Sequence, residues 1–289
     1  GEVAGTVMDP QRGVSIKERR SAANLVNGGK EDFSLYALGS GSDYTPFIQH
    51  AGIPALNLGF GGENAGGEYH TIYDTYPHYK RFKDPEFAYG VALANTAGRI
   101  SLRLANADVL PFEFKQWHST VATYLEEVMN TCDTMRKEVE KHNGMIDKNV
   151  FELAADPRKP FKKPVKKEEI PYLDFTPLQN AMASLKSSIA SFSDIDIAKL
   201  SAPKRNSMNK KLMLAEHVLT SETGLPRRGW YKHQIYAPGF YTGYGVKTLP
   251  GVREAIEQKD WKEAQEQIMK LAITFKNFNI HIQELSAMH

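Results

Sequence analysis

Ser34-Leu35-Tyr36-Ala37-Leu38 runs straight into Gly39-Ser40-Gly41-Ser42-Asp43-Tyr44-Thr45-Pro46-Phe47, and Gly52-Ile53-Pro54-Ala55-Leu56-Asn57-Leu58-Gly59-Phe60 follows. Residues 34–38 read as a short buried strand and 39–42 as a tight turn of small residues. Residues 43–51 read as a short helix with Asp43 near its N-terminus, and 54–60 as a second strand. Strand, loop, helix, strand is the rhythm of a βαβ unit, so an α/β fold is expected here. In such sheets function gathers where strands end and loops begin. A little further on stands Tyr69-His70-Thr71-Ile72-Tyr73-Asp74-Thr75, with a histidine in a polar loop. A segment this rich in glycine and polar groups, set between apolar runs, suits the rim of an active site.

Upstream, Ser15-Ile16-Lys17-Glu18 has the capping-box spacing and predicts a helix over about 15–26, ending near Asn27-Gly28-Gly29. Downstream, Asp84-Pro85 predicts the start of a helix that keeps its period to about residue 106. After Leu110-Pro111-Phe112 the texture changes to long helices without strands. Trp117, Val121, Leu125, Val128, Cys132 and Met135 mark one over about 115–142, with Asn143-Gly144 as its expected stop. A short helix fits 147–154, and others fit 176–192 and 203–219. Residues 156–171 hold Pro157, Pro160, Pro164 and Pro171 among lysines and arginines, which reads as a solvated connector. Residues 220–250 form a long aromatic-rich loop, a length that points to function rather than to a plain connection. A short helix from Pro250 and a long one over about 260–286 close the chain, the last with Ile268, Leu271, Phe275, Phe278, Ile282 and Leu285 on one face. The second half therefore has enough helices for a bundle.

The composition, 41% apolar and 24% charged, is that of a globular protein with a sizeable core. A net charge of +2 gives no field suited to nucleic acid, and it argues against a role for the 156–171 segment as a basic binding tail. Cys132 is the single cysteine, so no internal disulfide framework exists, which leaves the compartment open. No apolar run is long enough to span a membrane.

A lone histidine such as His70 is more often a hydrogen-bonded structural residue than a metal ligand. Its surroundings change that balance. The succession Ser42-Asp43-x-x-Pro46-Phe47, Gly52-Ile53-Pro54-Ala55 and Tyr69-His70-Thr71-x-x-Asp74-Thr75 resembles the end of the catalytic domain of the co-catalytic zinc aminopeptidases and carboxypeptidases. Leu104-Ala105-Asn106-Ala107-Asp108-Val109-Leu110-Pro111-Phe112, the helices that follow, and His233-Gln234-Ile235-Tyr236-Ala237-Pro238 narrow it. From residue 30 to 289 the chain resembles the C-terminal portion of the glutamate carboxypeptidase II-like peptidases, the branch that shares its helical domain with the transferrin receptor. The motifs are specific as a set, and each alone would be weak.

The resemblance implies α/β followed by all-α. Residues 1–108 would be the C-terminal part of a zinc-peptidase α/β/α sandwich, and 109–289 a transferrin receptor-like helical bundle that forms a homodimer. His70 would ligate one of two zinc ions, since imidazole suits zinc. Asp74 would order the loop or support the ligand. Tyr69 would contact substrate or pack as a plain aromatic. Ser40, Gly41 and Ser42 would lie along the peptide substrate, with glycine at 39 and 41 permitting close approach. Tyr244 matches the tyrosine of a Lys-Tyr pair that grips acidic substrate groups in glutamate carboxypeptidase II, but Gly243 stands where the lysine would be. The strand arginines of that relative are likewise replaced, by Asn57 and Gly59, which weakens any case for glutamate preference. The reaction implied is two-metal hydrolysis with a glutamate as general base. That glutamate and the remaining zinc ligands would lie upstream, for residues 1–38 contain no histidine. No catalytic residue is therefore assigned in this chain. It begins at Gly1 without methionine and is expected to be a piece of a larger enzyme, inactive without its N-terminal part. An extracellular or periplasmic location follows from the family alone. The competing reading is a non-catalytic dimerisation or binding module, like the transferrin receptor.

Overall fold

The computed structural model describes residues 1–29, 35–61 and 66–288. They form two compact units whose sequences interleave: residues 1–36 with 56–111, and residues 37–55 with 112–289.

The first unit contains α1 (Glu2–Thr6), α2 (Ile16–Val26), α3 (Tyr76–Phe82) and α4 (Ala88–Ala105). The capping box at the head of α2 is formed in both directions. Ser15 Oγ accepts the Glu18 amide at 3.1 Å, and the Glu18 carboxylate accepts the Ser15 amide at 2.7 Å. The loop before it is organised by buried Asp9, which accepts the amides of Gln11 and Arg12 at 3.0 Å and the Arg19 guanidinium at 2.6 Å. Arg19 also donates to the Tyr89 hydroxyl on α4 at 2.8 Å. Helix α4 begins later than Asp84-Pro85 suggests. Phe87 turns left-handed (φ 56°), and the Asp84 carboxylate reaches forward to accept the amides of Tyr89 and Gly90, at 3.3 and 2.9 Å. The cap is the expected acid with a short turn inserted between cap and helix. The apolar core of this unit is small among the described residues: Ala4, Val7 and Ala92 are its buried apolar side chains.

The expected α/β pattern is not present in these residues. Residues 35–38 and 54–60 have no regular secondary structure, and Ser34 lies outside the described residues. A buried parallel strand is stable only when it is paired and covered on both faces. No strand lies beside either segment among the described residues, and Leu35, Leu56 and Leu58 stay exposed. The helix expected at 43–51 is present as a tight turn in which Pro46–Ala51 has π-helical bonding, closed by Gly52 in the left-handed region.

The second unit is the helical one. It contains α5 (Phe114–Asp147), α6 (Val150–Leu153), α7 (Thr176–Ser193), α8 (Ala202–Leu212), α9 (Pro250–Glu257) and α10 (Trp261–Ser286). Helices α7 and α10 form its centre. Leu178, Leu185 and Ile189 of α7 and Ile268, Phe275, Phe278, Ile282 and Leu285 of α10 are all nearly or wholly buried. Val121, Leu125, Val128 and Cys132 of α5 are buried as well. The Phe278 ring lies 4.8 Å from Trp117 and 5.9 Å from Phe114, bringing α5 aromatics onto α10. Each such fully buried side chain contributes about 1.5–3 kcal/mol through removal of apolar surface from water.

Asn143-Gly144 does not stop α5. The Asn143 side chain instead clasps the backbone of Lys167, donating to its carbonyl at 2.8 Å and accepting its amide at 2.9 Å. The proline-rich connector thus runs back along α5, and Arg136 holds its far end by donating to the Pro171 carbonyl at 3.1 Å. Within 220–250 a small hairpin forms. Strands β1 (Tyr236–Pro238) and β2 (Val246–Thr248) pair antiparallel, with Ala237 opposite Lys247. No helix among the described residues is long and apolar enough to cross a membrane.

Candidate functional site

The predicted site residues fall into two groups, one in each unit. In the second unit, Ser40, Gly41 and Ser42 meet Tyr244. The Ser40 amide donates to the Tyr244 carbonyl at 3.0 Å. Gly41 has φ 87° and lies directly on the Tyr244 ring, where a Cβ would stand 2.5 Å from Cδ1. Glycine is needed at 41 on both grounds. The Ser42 carbonyl accepts the Thr45 amide at 3.0 Å, starting the turn that leads to Gly52. Tyr44 folds back beneath, its hydroxyl donating to the Ser40 carbonyl at 3.3 Å, and burial pushes its phenol above the ordinary value. Tyr244 is presented by the loop between β1 and β2, which is closed by the Gly239 amide on the Gly245 carbonyl at 2.9 Å. Tyr244 and Ser42 are both exposed to solvent.

In the first unit, Tyr69 and His70 are adjacent and exposed. Their rings stack at 3.8 Å between centroids. His70 has φ 61°, the left-handed region that residues with a Cβ seldom occupy. The turn around them is held by Thr71, whose hydroxyl donates to the Glu68 carbonyl at 2.7 Å and accepts the Tyr73 amide at 3.1 Å. Asp74 donates its amide to the Thr71 carbonyl at 3.1 Å, and Thr75 caps α3 by accepting the His78 amide at 3.4 Å. Glu68 forms an ion pair with Lys83. This ordered turn presents the imidazole to solvent from a strained backbone.

Among the described residues no group of three or more His, Cys, Asp or Glu side chains stands close enough to hold a metal ion. A catalytic zinc takes three protein ligands and an open position. The described residues of this chain do not bring such a set of ligands together.

A buried polar network in the second unit escaped the sequence reading. His233 is completely buried, and its Nε2 lies 3.0 Å from Glu216 Oε1. Its Nδ1 accepts the amides of Ile235 and Tyr236 at 3.2 and 3.4 Å, so the proton sits on Nε2 and is donated to the carboxylate. The Tyr236 hydroxyl donates to the same Glu216 oxygen, and the Tyr236 ring stacks on the imidazole at 4.4 Å. Burial pushes the Glu216 carboxyl up, but the hydrogen bonds from His233 and the Tyr236 hydroxyl outweigh it and hold the group below the usual range. Burial and the Glu216 charge push Tyr236 well above its own ordinary value. A second buried pair, Arg228 with Glu254, ties the hairpin to α9, Glu254 accepting the Phe240 amide at 2.5 Å. Glu216 and His233 lie on either side of a turn, and no periodic spacing marks them as partners.

Residues 173–282 match the family model of the transferrin receptor-like dimerisation domain. The matched stretch lies within the helical unit. Similarity extends well beyond it. A probable glutamate carboxypeptidase of Arabidopsis thaliana, LAMP1, is 29% identical over 84% of this chain and 31% of its own length. A probable glutamate carboxypeptidase of Arthroderma benhamiae is 28% identical over 91% of this chain and 32% of its own. The mouse aminopeptidase NAALADL1 is 26% identical over 81% of the chain and 29% of its length. The chain is thus similar to glutamate carboxypeptidase-like and aminopeptidase relatives, and it spans about a third of their length. A matched stretch covering 84% of the chain necessarily takes in residues 69–75 as well as the helices. The likeness therefore does not rest on the dimerisation domain alone.

Proposed function

We propose that this chain is the C-terminal part of a di-zinc exopeptidase that hydrolyses peptide bonds of small peptides. Residues 1–108 belong to its peptidase domain, where His70 supplies one zinc ligand and Tyr69 borders the substrate. Ser40, Gly41, Ser42 and Tyr244 form a substrate-facing wall, and residues 109–289 serve homodimerisation. The other zinc ligands and the general-base glutamate come from the upstream part of the protein, which completes the site; the chain by itself does not hydrolyse peptides. The observation that carries this reading is the likeness to peptidase relatives across both units, at about a third of their length. The relatives' names differ in which end of a peptide they attack, so the proposal is an exopeptidase without a stated end.

The test uses the full-length protein. It is expected to hold about two zinc ions per chain. His70→Ala is expected to lower peptide hydrolysis by at least about a hundredfold, the upper range for losing even a supporting group around a metal. Activity retained in that variant would overturn the ligand assignment. The second reading, a non-catalytic dimerisation module, is favoured by the match of residues 173–282 to a dimerisation domain. It would be established by a full-length protein that dimerises but binds no zinc.

A further inference from the structure

Gln49 is completely buried in the middle of the turn that follows Ser40–Ser42. Its side-chain amide donates to two carbonyls, that of Leu38 at 3.1 Å and that of Gly39. Its own backbone carbonyl accepts two amides from the long loop, Lys232 at 2.8 Å and His233 at 3.1 Å. The residue is therefore gripped from one side and grips on the other. The side that grips it is rigid, because the His233 ring is fixed by Glu216 and by the amides of Ile235 and Tyr236. The two residues after Gln49 are anchored to the same part of the unit. His50 Nδ1 meets the Trp230 carbonyl at 2.8 Å, and His217 Nδ1 meets the Ala51 carbonyl at 3.0 Å. At Gly52 a Cβ would stand 2.5 Å from His217 Cα, so the chain leaves this anchor with no clearance.

We propose that Gln49 is the positioning residue of the Gly39–Ser42 turn, setting where Ser40, Gly41 and Ser42 stand against Tyr244. It does not touch substrate; it fixes the wall that does, and this last clause rests on the reading of that wall given above. The chemistry selects glutamine. Two carbonyls need two N–H donors on one uncharged group. Glutamate of the same length would set carboxylate oxygens against both carbonyls, and methionine of similar size would offer no donor. Without the amide, the Leu38 and Gly39 carbonyls lose their partners, and the Ser40–Tyr244 bond, no longer backed by them, opens more often.

Hydrogen–deuterium exchange of the chain carrying Gln49→Met or Gln49→Glu tests this. Exchange over 38–42 and 241–246 is expected to rise on the order of tenfold or more, the glutamate variant above the methionine one, with α7 and α10 unchanged. No local rise, or a uniform rise that includes α10, would overturn the positioning role. A measurement without a variant guards against misfolding. In the wild-type chain the Gln49 side-chain amide protons are expected to exchange in step with the Ser40 amide, because one opening event frees both; markedly faster exchange would overturn the proposal. In the full-length protein the same variants are expected to lower kcat/KM by about ten- to a hundredfold at unchanged zinc content, the cost of a wall displaced by about 1 Å. A local loosening with unchanged kcat/KM would overturn the link to substrate. Should the full-length wild type prove inactive, the peptidase reading fails while the exchange arm still decides the role of Gln49.

Discussion

Tyr236→Phe removes one hydroxyl and leaves the ring, so it isolates a single bond in the buried network. In the wild-type protein that hydroxyl donates to Glu216 Oε1, the oxygen that also accepts the His233 Nε2 proton. The Glu216 side chain keeps 12% of its exposure, so water replaces the lost donor poorly. A hydrogen bond to a charged group contributes about 1.5–3 kcal/mol, and leaving a buried carboxylate short of a donor costs in the same range. The substituted ring still packs against the His233 imidazole, so the loss reports the hydroxyl alone. All three tryptophans, Trp117, Trp230 and Trp261, lie in the second unit, so tryptophan fluorescence in urea reports the unfolding of that unit alone. The variant is expected to lose about 2 kcal/mol at pH 7, about 1 M in urea midpoint at an ordinary denaturant slope. The pH dependence follows from the sign of the Glu216 shift. Its folded carboxyl lies below the ordinary 4.5, so its stabilisation is fully present above that value and is lost as pH falls through the folded value. The gap between wild type and variant should therefore be constant from pH 7 down to about 5 and narrow below about 4.5. A gap under about 0.5 kcal/mol at pH 7, or one that does not narrow at any pH below the ordinary 4.5, would refute the assignment of an ionised Glu216 held by Tyr236.

Two further perturbations address the two units separately. Phe278→Ala empties the place where α10 meets Trp117 and Phe114, and is expected to cost about 3–5 kcal/mol in urea unfolding with a changed Trp117 emission; a loss under about 1 kcal/mol would show that these aromatics do not share one core. Ser15→Ala breaks the capping box of α2 and is expected to cost about 1 kcal/mol, read as faster amide exchange over 16–20 because the first unit has no tryptophan; unchanged exchange there would mean that Glu18 alone suffices as the cap.

What the sequence disclosed follows the range of the interactions. The capping box of α2, the start of α7 near residue 176 and the apolar face of α10 are local patterns, and the structure has them close to where they were expected. Asn143-Gly144 misled because a helix stop depends on what the side chain finds, and here it finds Lys167 across a connector. The strands expected at 34–38 and 54–60 misled for a related reason: short apolar runs built on leucine become strands only beside partner strands, which no local pattern supplies. At the candidate site, Gly41 and Tyr244 were visible as residues of suitable type, but their contact joins positions far apart in the chain. Gln49 and the Glu216–His233 pair were not visible at all, since burial and partner choice decide their roles.

The chain passes from one unit to the other and back before it settles into the helices, because residues 37–55 belong with 112–289 while 56–111 return to the first unit. A helical domain excised by a single cut near residue 109 would therefore leave behind the length of chain that carries Gln49. Lys232 and His233 would lose the carbonyl that their amides share, and Gly41 would no longer cover Tyr244. The two halves cannot be exchanged between genes as interchangeable cassettes without a matched pair of junctions. Recombination that respected only the linear boundary would deliver a bundle with one of its surfaces unfinished.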